Sequence, residues 1–180
     1  DATHRVLRAG DAFLAAEQRV DGAWVPLWFG NQYSPNEDNP TYGTARVLLG
    51  LSRFGVPYII PSIVQGIEFL LSSQSHGGGW GGSAEAPGTI EETAVAVEAL
   101  TAVLYPTVKL LARNLRRMRN DQTDPVGSFM ANLLMKPEHD IQGDQALTLA
   151  SAILRGIHWL IEHTARGLRH RVRVHRLDGL

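Results

Sequence analysis

The chain has 180 residues, a net charge of −1 and no cysteine. This length supports one domain with a sizeable core. The missing thiols exclude disulfides and thiolate metal sites, a pattern that fits a reducing compartment. The near-neutral total hides an asymmetry: residues 1–104 carry 5 basic and 11 acidic side chains, residues 105–180 carry 12 and 7. A basic half can face nucleic acid or an anionic membrane, or be an unevenly charged solvated surface. Apolar stretches are short and broken by Gly, Ser or charge, so no signal peptide or spanning helix is expected. Asp1 in place of Met is read as the mark of a fragment or a processed product.

From Thr3 to Gln18, Val6, Phe13 and Leu14 recur with small residues at helical spacing. Asp21-Gly22 signals a turn, and residues 23–40 are too rich in Pro, Asn and aromatics for regular structure. A second helix is expected from Tyr42 to Phe54, with Val47, Leu48 and Leu51 as its stripe and Gly55 as its stop. Pro61 opens a third over Ser62 to Ser73, with Ile63, Ile67 and Leu70 or Leu71 inward, and Gly77-Gly78-Gly79 ends it. Thr89 and Glu92 match a capping box: the hydroxyl takes one orphan amide and the carboxylate reaches back to another. The helix that follows runs through Ala94, Val97, Leu100 and Val103 to about Leu104, where Pro106 is expected to interrupt it. A helix with an Arg-rich face is expected over 107–119, then a loop with a short helix near Phe129 to Met135. Gln145 to His163 reads as the last firm helix, and Arg171-Val172-Arg173-Val174 as a short alternating strand in a divergent basic tail, residues 165–180.

One pattern occurs twice. Phe13-Leu14-Ala15-Ala16-Glu17-Gln18 is followed by Asp21-Gly22-Ala23-Trp24; Phe69-Leu70-Leu71-Ser72-Ser73-Gln74 is followed by Gly78-Gly79-Trp80. In both copies Gln lies 5 residues after the aromatic and Trp 6 after Gln. A recurring unit of helix, Gln, glycine turn and Trp argues for a helical array before it argues for any chemistry. A primary amide has two donors and an acceptor, enough to bond backbone groups at neighbouring helix ends. Glycines such as Gly22 and Gly79 allow the reversal that returns the indole to the helix. Phe13, Gln18, Trp24, Phe69, Gln74 and Trp80 are thus expected to be structural. Gly156-Ile157-His158-Trp159-Leu160 echoes Gly66-Ile67-Glu68-Phe69-Leu70, but Thr164 and His170 stand where a third Gln and Trp belong.

These units resemble the Gln–Trp repeats of the triterpene cyclases, the squalene–hopene and oxidosqualene cyclase family. The most specific run is Gln18, Asp21-Gly22-Ala23-Trp24, Trp28 and Tyr42-Gly43-Thr44, joined by Gln74, Gly78-Gly79-Trp80-Gly81 and Glu92-Thr93-Ala94. The resemblance implies an all-α fold: an α/α barrel (toroid) of paired helices over residues 1–164, incomplete in this chain. It implies part of an enzyme that cyclises squalene to hopene-type products. An aspartic acid protonates a polyene, and rings then close through carbocations held among aromatic side chains, without cofactor or metal. The family's proton donor lies in an Asp-x-Asp-Asp run, which these residues lack; the donor is expected upstream, in a missing N-terminal part of the same protein. Trp28 matches a substrate-facing tryptophan, and Tyr33 and Tyr42 are further substrate-binding matches, although Ser34 to Pro40 looks like an insertion that disturbs the register at Tyr33. The resemblance also implies a cytoplasmic protein held peripherally on the inner membrane, and no nucleic acid. A non-catalytic toroid binding a protein or lipid is the alternative, since related toroids serve other functions.

The remaining signals are weak. Asp140 and Asp144 have no second carboxylate pair, and His158 and His163 are not spaced to put two ligands on one helix face. Gly77-Gly78-Gly79 leads to Trp80 rather than to a phosphate-loop Lys. No aromatic residue interleaves Arg113, Arg116, Arg117 and Arg119 as single-strand binding would require.

Overall fold

In the computed structural model residues 2–54, 60–120 and 143–164 are described, without the side chains of 2–4, 6–8, 11, 107–108, 110–120 and 143. The expected short helix near Phe129 to Met135, the strand at Arg171 to Val174, the basic tail and the side chains of the Arg113 to Arg119 face lie outside the described residues. Among the described residues five α-helices follow one another: α1 (Ala2–Glu17), α2 (Pro40–Arg53), α3 (Pro61–Ser72), α4 (Ile90–Asn120) and α5 (Gly143–Thr164). A single 3-10 turn (Pro35–Glu37) lies in the segment before α2, and the described residues contain no strand. Helix α4 packs between α2 and α5, and α2 also meets α3.

The α2 start combines two local devices with one long-range bond. Pro40 stands at the first helical position, the Asn39 side chain accepts from Tyr42 N at 3.1 Å, and Thr41 N donates to Gly82 O at 3.1 Å. The buried face of α2 is Thr44, Ala45, Leu48 and Leu49, rotated slightly from the expected stripe; Val47 and Leu51 are only partly covered. Helix α3 turns Ile63, Gly66, Ile67, Phe69 and Leu70 inward, with Leu71 at the margin. On α4 the buried row is Thr93, Ala96, Leu100 and Val103, while Ala94 is exposed. Leu149, Ala152, Ile153 and Trp159 close the core from α5. Each large aliphatic chain removed from water here contributes about 1.5–3 kcal/mol.

Pro106 does not end a helix. Helix α4 runs from Ile90 to Asn120 with Pro106 inside it. Proline cannot donate to the carbonyl four residues earlier, Ala102 O. The Ser52 hydroxyl of α2 donates to that same carbonyl at 3.2 Å. A side chain 50 residues away thus supplies a bond that local sequence denies, which is why local reasoning placed a break here.

The two Gln–Trp units form two junctions built alike. Gln18 Nε2 donates to Gly22 O (2.8 Å) across its own turn and to Ser62 O (2.7 Å) of α3. Gln74 Nε2 donates to Gly78 O (2.8 Å) and to Ala152 O (2.9 Å) of α5. Each indole returns to the helix it left: Trp24 Nε1 donates to Leu14 O and Trp80 Nε1 to Leu70 O, both at 2.7 Å. Both rings sit on a glycine of the next helix. A Cβ added to Gly66 would stand 2.7 Å from Trp24 Cζ3, and one on Gly156 2.7 Å from Trp80 Cζ3. The Trp backbone amides donate to Thr44 Oγ1 and Thr93 Oγ1, each at 2.9 Å.

Two expectations need correction. The glycine that turns the second unit is Gly78 (φ 96), matching Gly22 (φ 87). Gly79 instead lies against the Trp159 ring, where a Cβ would come within 2.6 Å of Cε2. Phe13 does not share the burial of Phe69: it is 61% exposed against 9%, because none of the described residues covers that face of α1. At the far end, Thr164 stands at the Gln position and its hydroxyl donates to Leu160 O at 2.7 Å. That carbonyl corresponds to Leu14 O and Leu70 O, so a threonine occupies an acceptor used elsewhere by an indole.

Candidate functional site

Between Trp24 and α2 the chain forms an aromatic loop. Trp24 and its threonine partner are 20 residues apart in the first unit, and Trp80 and its partner 13 in the second. The extra seven residues match the length of the Ser34 to Pro40 segment read as an insertion. This loop is pinned rather than loose. Asn31 N donates to Glu37 O (2.9 Å), Ser34 N to Asn31 O (3.0 Å) and Tyr33 N to Asn31 Oδ1 (2.9 Å). Gly30 allows the Glu37 carbonyl to pass at a distance no side chain would tolerate.

The principal anchor is Glu92 on the first turn of α4. Its side chain is 4% exposed, and Oε1 accepts from Asn31 Nδ2 (2.9 Å) and Asn39 Nδ2 (2.8 Å). Its Oε2 accepts from the Thr89 hydroxyl. The capping box is therefore half present. Glu92 N donates to Thr89 Oγ1 at 3.2 Å as expected, but Thr89 N donates to Trp80 O, leaving the carboxyl free to hold the loop. A buried carboxyl needs its oxygens satisfied, and amide and hydroxyl donors do so without a cation. Glu92, Asn31 and Asn39 were not singled out as a group from sequence; their separations of 53 and 61 residues leave no local signal.

What the anchored loop presents is apolar. Trp28 is 94% exposed, with Leu27 and Tyr33 also largely in solvent. Tyr42, at the start of α2, stacks on Phe29 with centroids 4.1 Å apart and an interplanar angle of 20°. Of the residues expected to bind substrate, Tyr42 is thus fixed by an aromatic neighbour, whereas Trp28 and Tyr33 project from the loop. This arrangement offers ring faces and apolar surface, not proton transfer. His158 pairs with Glu162, and His163 stacks on Trp159 with Nδ1 against Trp159 O, so both have structural partners. Among the described residues no His, Asp and Glu cluster could hold a metal ion, and no helix is long and apolar enough to cross a membrane.

The family model for the squalene-hopene cyclase C-terminal domain matches residues 1–125. The chain belongs to this family. The all-α architecture is that of the family's helical toroid. Among similar proteins, a probable squalene–hopene cyclase of Sinorhizobium fredii is 31% identical over 131 residues, 67% of this chain and 19% of the relative. A copalyl diphosphate synthase of Streptomyces anulatus is 33% identical over 88 residues, 49% of this chain and 14% of the relative. An enfumafungin synthase of Hormonema carpetanum is 30% identical over 130 residues, 66% and 9%. The chain therefore spans about a fifth or less of the length of these relatives. No solved structure matches it. The family match covers both Gln–Trp turns, the first acceptor helix α3, the aromatic loop and Glu92, while the second acceptor helix α5 lies beyond it.

Proposed function

We propose that this chain contributes part of a cavity wall to a terpene cyclase that converts a squalene-like polyprenoid to hopene-type rings. In this reading Trp28 faces the substrate, with Tyr33 and Tyr42 beside it. The observation that carries it is the Trp28 indole, almost wholly exposed on a loop whose backbone Glu92 pins, in a chain of this family. An indole left in water by a pinned loop has a large π face to offer, and such faces stabilise carbocations developing during ring closure. The cavity requires that water be kept out, which apolar neighbours such as Leu27 would favour.

No Asp-x-Asp-Asp run occurs in the 180 residues. The proposed proton donor therefore comes from another part of the same protein, which is also this chain's proposed partner. Peripheral contact with the inner membrane, where a polyprenoid dissolves, belongs to the same proposal. The test is product analysis after incubation with squalene. The 180 residues alone are expected to form no polycyclic product, because a general acid must reach the alkene it protonates. The protein encoded by the full reading frame is expected to form them, and Trp28→Ala in it to give slower turnover or prematurely terminated products. Unchanged rate and product pattern in Trp28→Ala would remove the residue from the cavity.

A further inference from the structure

Helices α3 and α5 are both acceptors for a Gln–Trp turn, and they accept it at corresponding positions. On α3 the amide bonds Ser62 O, the turn glycine approaches Gln65 O and the indole lies on Gly66. On α5 the same three contacts fall on Ala152 O, Arg155 O and Gly156. One step further, Phe69 is buried on α3 and Trp159 on α5. Helix α1 carries the same register. Gly10, Phe13 and Leu14 of α1 precede Gly66, Phe69 and Leu70 by 56 positions each, so Val6 and Ala9 supply the two carbonyl positions.

None of the described residues occupies that register on α1. A Cβ on Gly10 would meet no atom within 4 Å, whereas Gly66 and Gly156 each press against an indole. Phe13, unlike its two equivalents, is largely in solvent. We infer that α1 is the acceptor helix for a further Gln–Trp unit: a helix end bearing Gln-x-x-x-Gly-Ala-Trp, whose indole seats on Gly10. The residue before Trp follows from size matching. Where the acceptor carries Trp159, the turn has Gly79, because a Cβ there would strike the ring; where the acceptor carries Phe69, the turn has Ala23. With Phe13 on α1, alanine fits. A second copy of this chain is not the natural donor, because both of its units are engaged on its own α3 and α5. This inference rests on the repeat geometry and not on the proposed reaction.

The test supplies the missing unit. A second copy of residues 11–26, which contain Gln18, Gly22, Ala23 and Trp24, is fused ahead of Asp1 through a flexible Gly/Ser linker of about 20 residues, long enough to span the helix. The fused chain is expected to melt about 5 °C or more above the unfused one, as docking removes Phe13 and an indole from water. The gain should vanish when Gly10→Leu fills the seat, and when the Trp of the added copy is changed to Ala. Gly50→Leu, at a helical glycine with equally open surroundings, should leave the gain intact. No gain in melting temperature, or a gain that survives Gly10→Leu, would overturn the inference.

Discussion

The seating of Trp24 on Gly66 makes a prediction about coupling rather than about either residue alone. Trp24→Ala deletes a buried ring, and such truncations cost about 3–5 kcal/mol. For a domain of this size each kcal/mol moves the melting temperature by about 2–4 °C, so a fall of about 6–20 °C is expected. Gly66→Ala is subtler. Its new methyl would lie 2.7 Å from Trp24 Cζ3 but 3.4 Å from Leu48 Cδ2 and Thr44 Cγ2, so the clash is almost entirely with the indole. Overpacking of this kind costs about 1–3 kcal/mol, and replacing a helical glycine returns about 1 kcal/mol. The single variant is thus only mildly destabilised. With Trp24 already reduced to alanine the clash has no partner, and Gly66→Ala should become stabilising. The double variant should therefore be more stable than the sum of the singles by about 1–3 kcal/mol, well outside the scatter of independent sites. Thermal or urea melts of the wild type, both singles and the double decide it, with Trp28→Ala as an exposed-indole control expected within about 0.5 kcal/mol of wild type. Additive effects at positions 24 and 66 would show that the ring does not rest on that glycine.

Three other outcomes follow from the same structure. Ser52→Ala should destabilise by about 0.5–1.5 kcal/mol, and by less in a Pro106→Ala background, where a backbone N–H again faces Ala102 O; a double-mutant cycle by chemical denaturation reads the difference. Glu92→Ala leaves the buried amides of Asn31 and Asn39 without their acceptor and should cost about 2–6 kcal/mol, whereas Glu92→Gln keeps one oxygen for them and should cost much less; equal melting temperatures for the two variants would contradict the anchor. Gly22→Ala, with φ of 87 and a Cβ 2.4 Å from Gln65 O, should destabilise by more than about 1–2 kcal/mol, while Gly50→Ala, in an open helical position, should stabilise by about 1 kcal/mol. Circular-dichroism melts of both compare the signs directly.

Much of the helical framework was legible because it is written locally. Pro61 opens α3, the apolar spacing marks α2 and α3, and the fixed offsets from Phe to Gln to Trp announced the two junctions, although α2 begins at Pro40, two residues before the expected Tyr42. The failures share one cause, which is that the deciding partner lies far away in sequence. Pro106 is tolerated through Ser52, and Glu92 abandons half of its capping role to hold two asparagines. Phe13 looks like Phe69 in every local respect, yet its environment depends on what lies over α1. The echo between Gly66 and Gly156 was visible in the letters, but not that each glycine is the seat of an indole. The candidate site was legible only in part: the repeat set Trp24 apart as structural and the resemblance set Trp28 apart as substrate-facing, but the Glu92 anchor that pins the loop between them had no local signal.

That separation bears on how such a chain can carry a site at all. The loop between Trp24 and Pro40 is held by its polar residues: Asn31 and Asn39 on Glu92, Thr41 N on Gly82 O, Trp24 N on Thr44. Its exposed aromatic residues do not hold it. Trp28 and Tyr33 contribute little buried area, so replacing them leaves the supports of the loop in place. The stability of the array is concentrated instead in Trp24 and Trp80, each fixed at 2.7 Å to a helix carbonyl and each pressed on a glycine. A fold arranged in this way can change what it presents to a ligand, including the length of the loop itself, without disturbing the junctions that stack its helices. The seven residues by which the first connection exceeds the second were accommodated where polar anchors hold both ends, not within a junction, which is where insertion costs least.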